Sequence, residues 1–293
     1  INISQTALTS NAALRKIRRN ASPWEPERPL SSRATCGTAF PKRTTGSMDN
    51  AVQTNRDTGL LKIIAFVTMA IDHIGYVFFP QYMWLRVIGR LAFPIFAYCL
   101  ALGCVYTKNP KKYALRLLAF ALVSQPFYSL AFFPYDTELL FDSINYGTLS
   151  AAASCIASNL HLNVGFTMLL ALGAIEALKH KKWLFFGIIA AASLWEGFEY
   201  SFYGVILMVL MYFLCQREPE IFGTVIGIYL LIMFLDTPNI ALMGISLNAQ
   251  GFAVLALPFM LINTKSGVKI PRWLGYGFYP LHIFIIYLAK LFI

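Results

Sequence analysis

The feature of this chain that most limits its fold is a succession of long apolar segments that begins near residue 60. About nine of them approach the length needed to cross a hydrocarbon layer of roughly 30 Å. They cover residues 60–79, 84–106, 113–133, 160–178, 183–195, 200–215, 221–235, 248–262 and 273–292. Only 13% of the residues are charged, against about 25% in an average soluble domain. The sequence therefore predicts an all-α, polytopic transmembrane helix bundle of about nine spans.

The first 58 residues have a different composition from the remainder. They are rich in Ser, Thr, Arg, Pro and Asn and lack sustained apolar periodicity, so they cannot bury enough surface to offset the entropy of ordering. We expect a disordered, basic segment at 1–58 and a membrane domain at 59–293. Since Met48 stands a dozen residues before the first apolar segment, we expect 1–47 to be either an upstream extension or sequence added for expression, and assign it no function.

The charges between the apolar segments predict the topology. Alternate connections are basic ("TKNPKK", "KHKK", "QREPE", "NTKSGVKIPR"), and the connections between them are acidic ("PYDTELLFD", "EGFE", "DTPN"). Basic loops favour the cytoplasmic side, which places the N-terminus in the cytoplasm and the C-terminus outside. The net charge of +10 is scattered over these loops, so topology explains it better than a nucleic-acid partner does.

Ionisable residues within the apolar segments indicate the candidate site, because such groups are costly at bilayer depth and usually face a bundle interior. The first segment carries Lys62, Asp72 and His73. Lys62 and His73 are eleven residues apart, which on a helix returns them to nearly one face, roughly 16 Å apart along the axis. They are expected to line one wall of a cavity. Asp72 points about 100° away, so a direct pair with His73 is not expected.

Other segments add basic and hydrogen-bonding groups. Arg86 and Arg90 lie one turn apart before Pro94, which is expected to bend that helix. Paired guanidinium groups indicate an anion, either a substrate group or Asp72 itself. Tyr279 and His282 lie one turn apart in the last segment, and Glu199 follows an outer segment end. Structural alternatives remain open: interhelical hydrogen bonding for the histidines, anchoring for Lys62, and extension of Arg86 towards lipid headgroups.

Two kinds of chemistry suit these residues. Acyl transfer from a coenzyme A thioester needs a base near neutral pKa and cationic groups for the donor's phosphates. A proton-coupled transporter also uses intramembrane Asp and His side chains. Periodicity does not distinguish them. The cysteine spacing indicates neither a metal site nor disulfides.

Several sequence blocks resemble the TraX family, the inner-membrane pilin acetylases of F-type conjugation systems and their bacterial relatives. They are "LLKIIAFVTMAIDHIG", "RVIGRLAFPIFAYCLALGCVYTKNPKKYALRLLAFALVSQPFYSL", "LNVGFTMLLALGAIE", "YGVILMVLMYF" and "FYPLHIFIIYLA". The resemblance begins at Leu60 and runs to the C-terminus. It implies an inner-membrane enzyme that transfers an acetyl group from acetyl-CoA to the N-terminal amine of processed pilin at the outer side. The alternatives are an O-acetyltransferase acting on a surface glycan and a proton-coupled transporter.

TraX proteins are in turn similar to the membrane acyltransferases that O-acylate sugars, in which a basic residue, ten intervening residues and a histidine mark the first helix. Lys62 and His73 match that spacing, and the resemblance implies that His73 is the general base. The wider family has two arginines separated by two residues, whereas three separate Arg86 and Arg90 here, so this assignment departs from the pattern. The expected catalytic residues are His73 and Asp72. The expected substrate- or donor-binding residues are Lys62, Arg86, Arg90, Glu199, Tyr279 and His282.

Overall fold

The computed structural model describes residues 54–146, 155, 159–232, 239–242 and 245–292. Residues 1–53, most of the run 147–158 and Asp236 lie outside the described residues, and with them the predictions made for those positions. The chain divides into a unit at Ile1–Asp49 and a unit at Asn50–Ile293. The following description concerns the second unit.

Helices occupy all nine predicted apolar segments, which confirms the all-α class. In chain order they are α1 Thr58–Phe78, α2 Met83–Gly89, α3 Ala92–Tyr106, α4 Pro110–Phe132, α5 Pro134–Tyr146, α6 Val164–Lys179, α7 Trp183–Ser193, α8 Ser201–Leu214, α9 Pro219–Ile232, α10 Leu257–Leu261 and α11 Arg272–Leu291. Between α9 and α10 the chain forms two short antiparallel strands, β1 Asn239–Leu242 and β2 Ile245–Asn248. A 3-10 helix at Ala249–Ala256 follows them and leads into α10. Helix α5 forms where the sequence predicts an acidic connection.

Four of the described helical stretches are long and apolar enough to cross a membrane by length and composition. They are Thr58–Phe78, Met83–Tyr106, Pro110–Phe132 and Trp273–Leu291. The remaining apolar helices are shorter. Large apolar side chains are exposed on the outside of the bundle, as expected where lipid is the solvent. Examples are Val67, Leu115, Leu122, Leu184, Ile228 and Ile285.

The second of these stretches is interrupted at Arg90 and Leu91, between α2 and α3. Pro94 has no N–H and cannot donate to the carbonyl of Arg90 four residues earlier. The predicted bend after the arginines is therefore present. It leaves Arg90 at the end of a short helix that packs against α1.

The basic connections lie at one end of the bundle. The Nζ atom of Lys179, at the end of α6, donates to the carbonyl of Cys104 near the end of α3 over 3.0 Å. Thr54 donates its hydroxyl to the carbonyl of Cys215 after α8 over 3.0 Å. The N–H of Ser266 donates to the carboxylate of Asp57 over 2.7 Å. These contacts bring the start of α1 to the same end as the four basic loops.

The two acidic connections that the structure describes lie at the opposite end. His161 approaches Asp136 at 3.4 Å, and Leu162 forms an isolated bridge with Phe198 in the turn before α8. The C-terminal end of α11 is also here, because Lys290 donates to the carbonyl of Ala131 at the end of α4 over 3.2 Å. The alternation of loop charge thus corresponds to two spatial ends.

The described residues just before α1 pack against the helix bundle. Thr54 and Asn55 are buried, and the side chain of Asn55 donates to the carbonyl of Phe259 over 2.8 Å. Asp57 caps α1 by accepting from the N–H of Leu60. The hydroxyl of Ser266 donates to the Asp57 carboxylate and has the largest effect on its pKa, which it lowers below the ordinary value. The N–H of Ser266 lowers the pKa further.

Close helix contacts fix the outer half of α1. A Cβ atom added at Gly89 of α2 would lie 2.2 Å from the Cβ and Oδ1 atoms of Asp72. Only glycine allows the two backbones to approach this closely. Helix α11 packs on α1 and α4 from the other side. These contacts position the residues of the candidate site.

Candidate active site

Two histidines from opposite ends of the sequence meet inside the bundle. The Nδ1 atom of His73 on α1 lies 2.7 Å from the Nε2 atom of His282 on α11. Both side chains are buried. Their ring planes differ by 5° and their centroids are 5.0 Å apart. The rings therefore lie nearly end to end in one plane, which is the geometry of a hydrogen bond between ring nitrogens.

The hydrogen bonds assign the neutral tautomers of both rings. The Nδ1 atom of His282 lies 2.9 Å from the carbonyl oxygen of Phe278, and since a carbonyl only accepts, this nitrogen carries the proton. The Nε2 atom of His282 is then an acceptor, so Nδ1 of His73 is the donor. This leaves the lone pair on Nε2 of His73 free to accept a proton. The Phe278 carbonyl and His282 orient His73 as an acidic residue orients the histidine of a catalytic triad.

Aromatic side chains enclose the pair. The Tyr279 ring packs edge-on at 6.1 Å from His73 and 5.5 Å from His282. Phe132 lies 4.9 Å from His73, and Phe278 stacks on His282 at 5.0 Å. The enclosure excludes bulk water from the rings and restricts their rotation.

A charged cluster lies beside the pair, on the adjacent face of α1. The two carboxylate oxygens of Asp72 accept from separate arginines, Oδ2 from Arg86 at 2.9 Å and Oδ1 from Arg90 at 2.8 Å. The Arg86 guanidinium also lies 4.8 Å from the centre of the Tyr76 ring. The pairing of Asp72 with Arg90 was one sequence-based interpretation, and the pairing with Arg86 adds to it. Asp72 thus binds the two arginines, and among the described residues it forms no hydrogen bond with His73.

Glu199 lies within electrostatic reach of this cluster, including Asp72, Arg90 and Arg86. Its main chain is held on both sides: its N–H donates to the carbonyl of Leu162 over 3.1 Å, and its carbonyl accepts from the hydroxyl of Thr167. Tyr200, the next residue, has a left-handed backbone with φ of 61°. Non-glycine residues adopt this conformation rarely and at a cost, so the surrounding structure determines the position of Glu199.

A cavity of about 400 Å³ extends from the basic end towards the histidines. Lys62, Thr107 and Arg116 line it near that end, and Met69 and Tyr279 line it at the other. Met69 precedes His73 by four residues, one helical turn. The walls between are largely apolar, with side chains of Phe66, Phe96, Leu100, Leu117, Phe120, Met168 and Tyr276.

The structure brings most predicted site residues into two neighbouring groups. His73, His282 and Tyr279 form one group, and Asp72, Arg86, Arg90 and Glu199 form the other. Lys62 lines the cavity as expected. His73 does not share that lining within the described residues, whereas Met69, one turn earlier on α1, does.

Two groups at the candidate site were not predicted from the sequence. Arg116 lines the cavity on α4, with its guanidinium 5.6 Å from the Tyr113 ring centre. Arg86 and Arg90 are candidates because they are arginines within an apolar segment, and Arg116 has the same property. The role of the Phe278 carbonyl could not be predicted from the sequence, because every residue has a backbone carbonyl. Among the described residues, no group of three or more His, Cys, Asp or Glu side chains is arranged to hold a metal ion.

Fold and site together define a polytopic membrane protein in which a buried, oriented histidine pair lies between a deep cavity and a charged cluster. A family model described as "TraX protein" matches residues 57–290. The chain therefore belongs to the TraX family, which confirms the resemblance.

Curated relatives agree with this assignment. The chain is 30% identical over 247 residues to "Probable fimbrial assembly protein FimC, serogroup H1" of Dichelobacter nodosus, covering 80% of this chain and 95% of that protein. It is 34% identical over 84 residues to "Protein TraX" of Escherichia coli, covering 28% of this chain and 34% of that protein. An uncharacterized protein of Rickettsia prowazekii (strain Madrid E) is 33% identical over 88 residues, covering 30% and 34% respectively. The comparison with solved structures gave no significant match.

Proposed function

We propose that this protein is an inner-membrane acetyltransferase that moves an acetyl group from acetyl-CoA to the N-terminal amine of a conjugative pilin at the outer side of the membrane. The observation that carries the proposal is the chain from the Phe278 carbonyl through His282 to His73. It leaves one imidazole lone pair available beside the closed end of a cavity. The name of one relative, "Probable fimbrial assembly protein FimC, serogroup H1", concerns fimbrial assembly.

The cavity suits a coenzyme A thioester entering from the basic end. Lys62 and Arg116 are cationic groups at that end, and cationic side chains bind phosphate groups strongly where water is excluded. The apolar walls accommodate the pantetheine arm. The acetyl group then reaches Tyr279 and Met69, next to the histidine pair. The cytoplasm supplies acetyl-CoA, so the basic loops must face it.

In the proposed reaction, the amine nitrogen attacks the thioester carbonyl carbon while Nε2 of His73 takes a proton from that nitrogen. A C–N bond forms and the C–S bond breaks. The proton then passes from His73 to the coenzyme sulfur, which leaves as the thiol. His282 stabilises the imidazolium form of His73 by accepting the hydrogen bond from Nδ1. Such general-base catalysis contributes about 10²- to 10⁴-fold in rate.

The proposed role of the charged cluster is to position the acceptor side. Asp72 compensates one of the two arginine charges, and this fixes α2 against α1 close to His73. The enclosed histidines also fit the site of a proton relay, so the proposal needs a direct product test. Intact-mass analysis of pilin and of envelope glycans from cells with and without the gene provides it. We expect the mass of one acetyl group on pilin only when the gene is present. An acetyl group on a glycan alone, or on neither, would contradict the proposal.

A further inference from the structure

Two buried polar atoms of opposite hydrogen-bonding character lack partners in the part of the chain that the structure describes. They are the hydroxyl of Tyr279 and the Oε2 oxygen of Glu199. A buried polar group without a partner costs about 1–3 kcal/mol, so two such groups near a candidate site indicate atoms that a ligand satisfies. Neither atom belongs to the hydrogen-bond chain of the histidines.

The two groups belong to different parts of the candidate site. Tyr279 lines the closed end of the cavity and packs against both imidazole rings. Glu199 lies in the turn before α8, near the acidic end, beside Arg90 and Asp72. They are also within electrostatic reach of each other. One therefore faces the donor, and the other faces the side from which the acceptor arrives.

Their surroundings hold both groups in place, and the side chain of Tyr128 also approaches the Glu199 carboxylate. The main-chain N–H and carbonyl of Glu199 are both hydrogen-bonded, and the N–H of Val164 bonds to its carboxylate. Tyr279 is fixed by packing against Phe120, with ring centroids 5.4 Å apart, and by the two histidines. Preorganised groups of this kind need no rearrangement when a substrate binds.

We propose that Tyr279 and Glu199 are the two substrate-contacting groups of the acyl transfer, an inference that rests on the proposed function. The Tyr279 hydroxyl donates to the thioester carbonyl oxygen, which becomes negatively charged as the C–N bond forms. The Glu199 carboxylate accepts from the acceptor's ammonium group and selects an amine over a hydroxyl acceptor.

The protons balance in this scheme. The ammonium ion gives one proton to Glu199, which releases it to solvent, and the resulting amine attacks the thioester. A second proton passes to His73 and then to the coenzyme sulfur when the C–S bond breaks. The third stays on the amide nitrogen. The products are the acetylated amine, the coenzyme thiol and one released proton.

The test uses the full chain, purified in membrane mimetics, with acetyl-CoA and two synthetic peptides. One peptide has a free N-terminal amine, and the other carries a hydroxyl group in its place. We expect the wild-type protein to acetylate the amine peptide with the higher kcat/KM. Tyr279→Phe removes only the hydroxyl oxygen and should lower kcat by about 10²-fold, with KM for acetyl-CoA close to wild type. Tyr287→Phe, on the same helix, is the matched control and should retain full activity.

For Glu199→Gln, we expect kcat/KM with the amine peptide to fall by about 10²-fold, mainly through KM. The value for the hydroxyl peptide should stay close to wild type. Glu196→Gln, which changes an exposed carboxylate three residues earlier, is the control. Glu199→Asp retains the charge and should recover part of the preference for the amine. Thermal unfolding of each variant separates these effects from misfolding.

Wild-type kcat in Tyr279→Phe, or an equal loss for both peptides in Glu199→Gln, would overturn the inference while leaving the proposed function intact. A wild-type protein that acetylates neither peptide would overturn both. The two outcomes can be told apart, because the wild-type protein alone tests the proposed function and the variants test only the roles of Tyr279 and Glu199.

Discussion

The Nδ1 atom of His73 and the Nε2 atom of His282 lie 2.7 Å apart, although 209 positions separate the two residues in the sequence. This contact joins the first and last long helices of the membrane unit. Through the bond from His282 to the Phe278 carbonyl, it also orients the lone pair of His73. His282, for which the sequence favours a structural role between helices, is in this proposal the orienting partner of the base.

The orienting role makes His282→Ala and His282→Gln differ in their effects. The alanine variant leaves Nδ1 of His73 without its acceptor, so we expect acetyl transfer to fall by about 10²-fold or more. Glutamine places an amide oxygen near the former Nε2 position and can still accept from His73. We expect it to recover a measurable part of the activity. Acetylated product normalised to inserted protein is the measurement. Equal activity in the alanine variant and the wild type would contradict the orienting role.

The charged cluster predicts a stability effect at Asp72. Asp72→Asn removes the one carboxylate that pairs with both guanidinium groups, of which Arg90 is buried, so we expect a loss of about 3 kcal/mol in the free energy of unfolding. Combining it with Arg90→Gln removes one of the uncompensated charges and should recover part of that loss. Thermal unfolding in detergent measures both. A single variant as stable as the wild type would show that the cluster does not hold α2 on α1.

Arg90 itself is tested by Arg90→Lys, which keeps the charge but loses the planar fork. If Arg90 contacts an anionic group of either substrate, we expect activity to fall strongly at unchanged stability. If it only compensates Asp72, activity should remain nearly normal. The doubly neutral Asp72→Asn, Arg90→Gln protein is the companion measurement. Full activity in that protein would exclude a catalytic role for both residues, including the one predicted for Asp72.

The close approach of α1 and α2 predicts that Gly89→Ala is destabilising. The new methyl group would lie 2.2 Å from atoms of Asp72, and such overpacking costs about 1–3 kcal/mol. Gly187→Ala is the control, because no neighbouring atom lies within 4 Å of its added Cβ. Within α7 that change should be neutral or slightly stabilising. Comparable unfolding temperatures for the two variants would contradict the packing described here.

The loops give a prediction of orientation. Lys111, Lys181 and Lys269 lie in or beside basic connections, and Asp142 and Glu196 belong to acidic stretches. We expect single cysteines at positions 142 and 196, but not at 181, to react with an impermeant thiol reagent in intact cells. Permeabilised cells should label all three positions. Labelling at 181 without labelling at 142 would reverse the orientation and, with it, the proposed side of acetyl-CoA entry.

Sequence patterns predicted the all-α class and the positions of the apolar helices. Helical periodicity also separated Asp72 from His73, because adjacent residues point about 100° apart. Periodicity describes one helix at a time, however. It could not show that His282 reaches His73 or that both Arg86 and Arg90 reach Asp72, because these contacts depend on how distant helices pack.

Two further features, helix α5 and the unpartnered atoms of Tyr279 and Glu199, could be found only in the three-dimensional structure. The acidic stretch that forms α5 carries turn-like and charged residues, and its helix was not evident from hydropathy. That the Tyr279 hydroxyl and the Glu199 Oε2 atom have no partner within the described part of the chain depends on every neighbouring side chain at once. No local pattern reports such an arrangement.

The central claim is that His73 is the general base of acetyl transfer, and His73→Ala tests it most directly. Acetylated acceptor is measured by mass spectrometry in cells that express matched amounts of inserted protein. His180→Ala is the control, because it removes an exposed imidazole at the end of α6. We predict that the His73 variant inserts normally but yields about 10²- to 10⁴-fold less product, while the His180 variant resembles the wild type. Wild-type acetylation by His73→Ala at matched expression would contradict the claim.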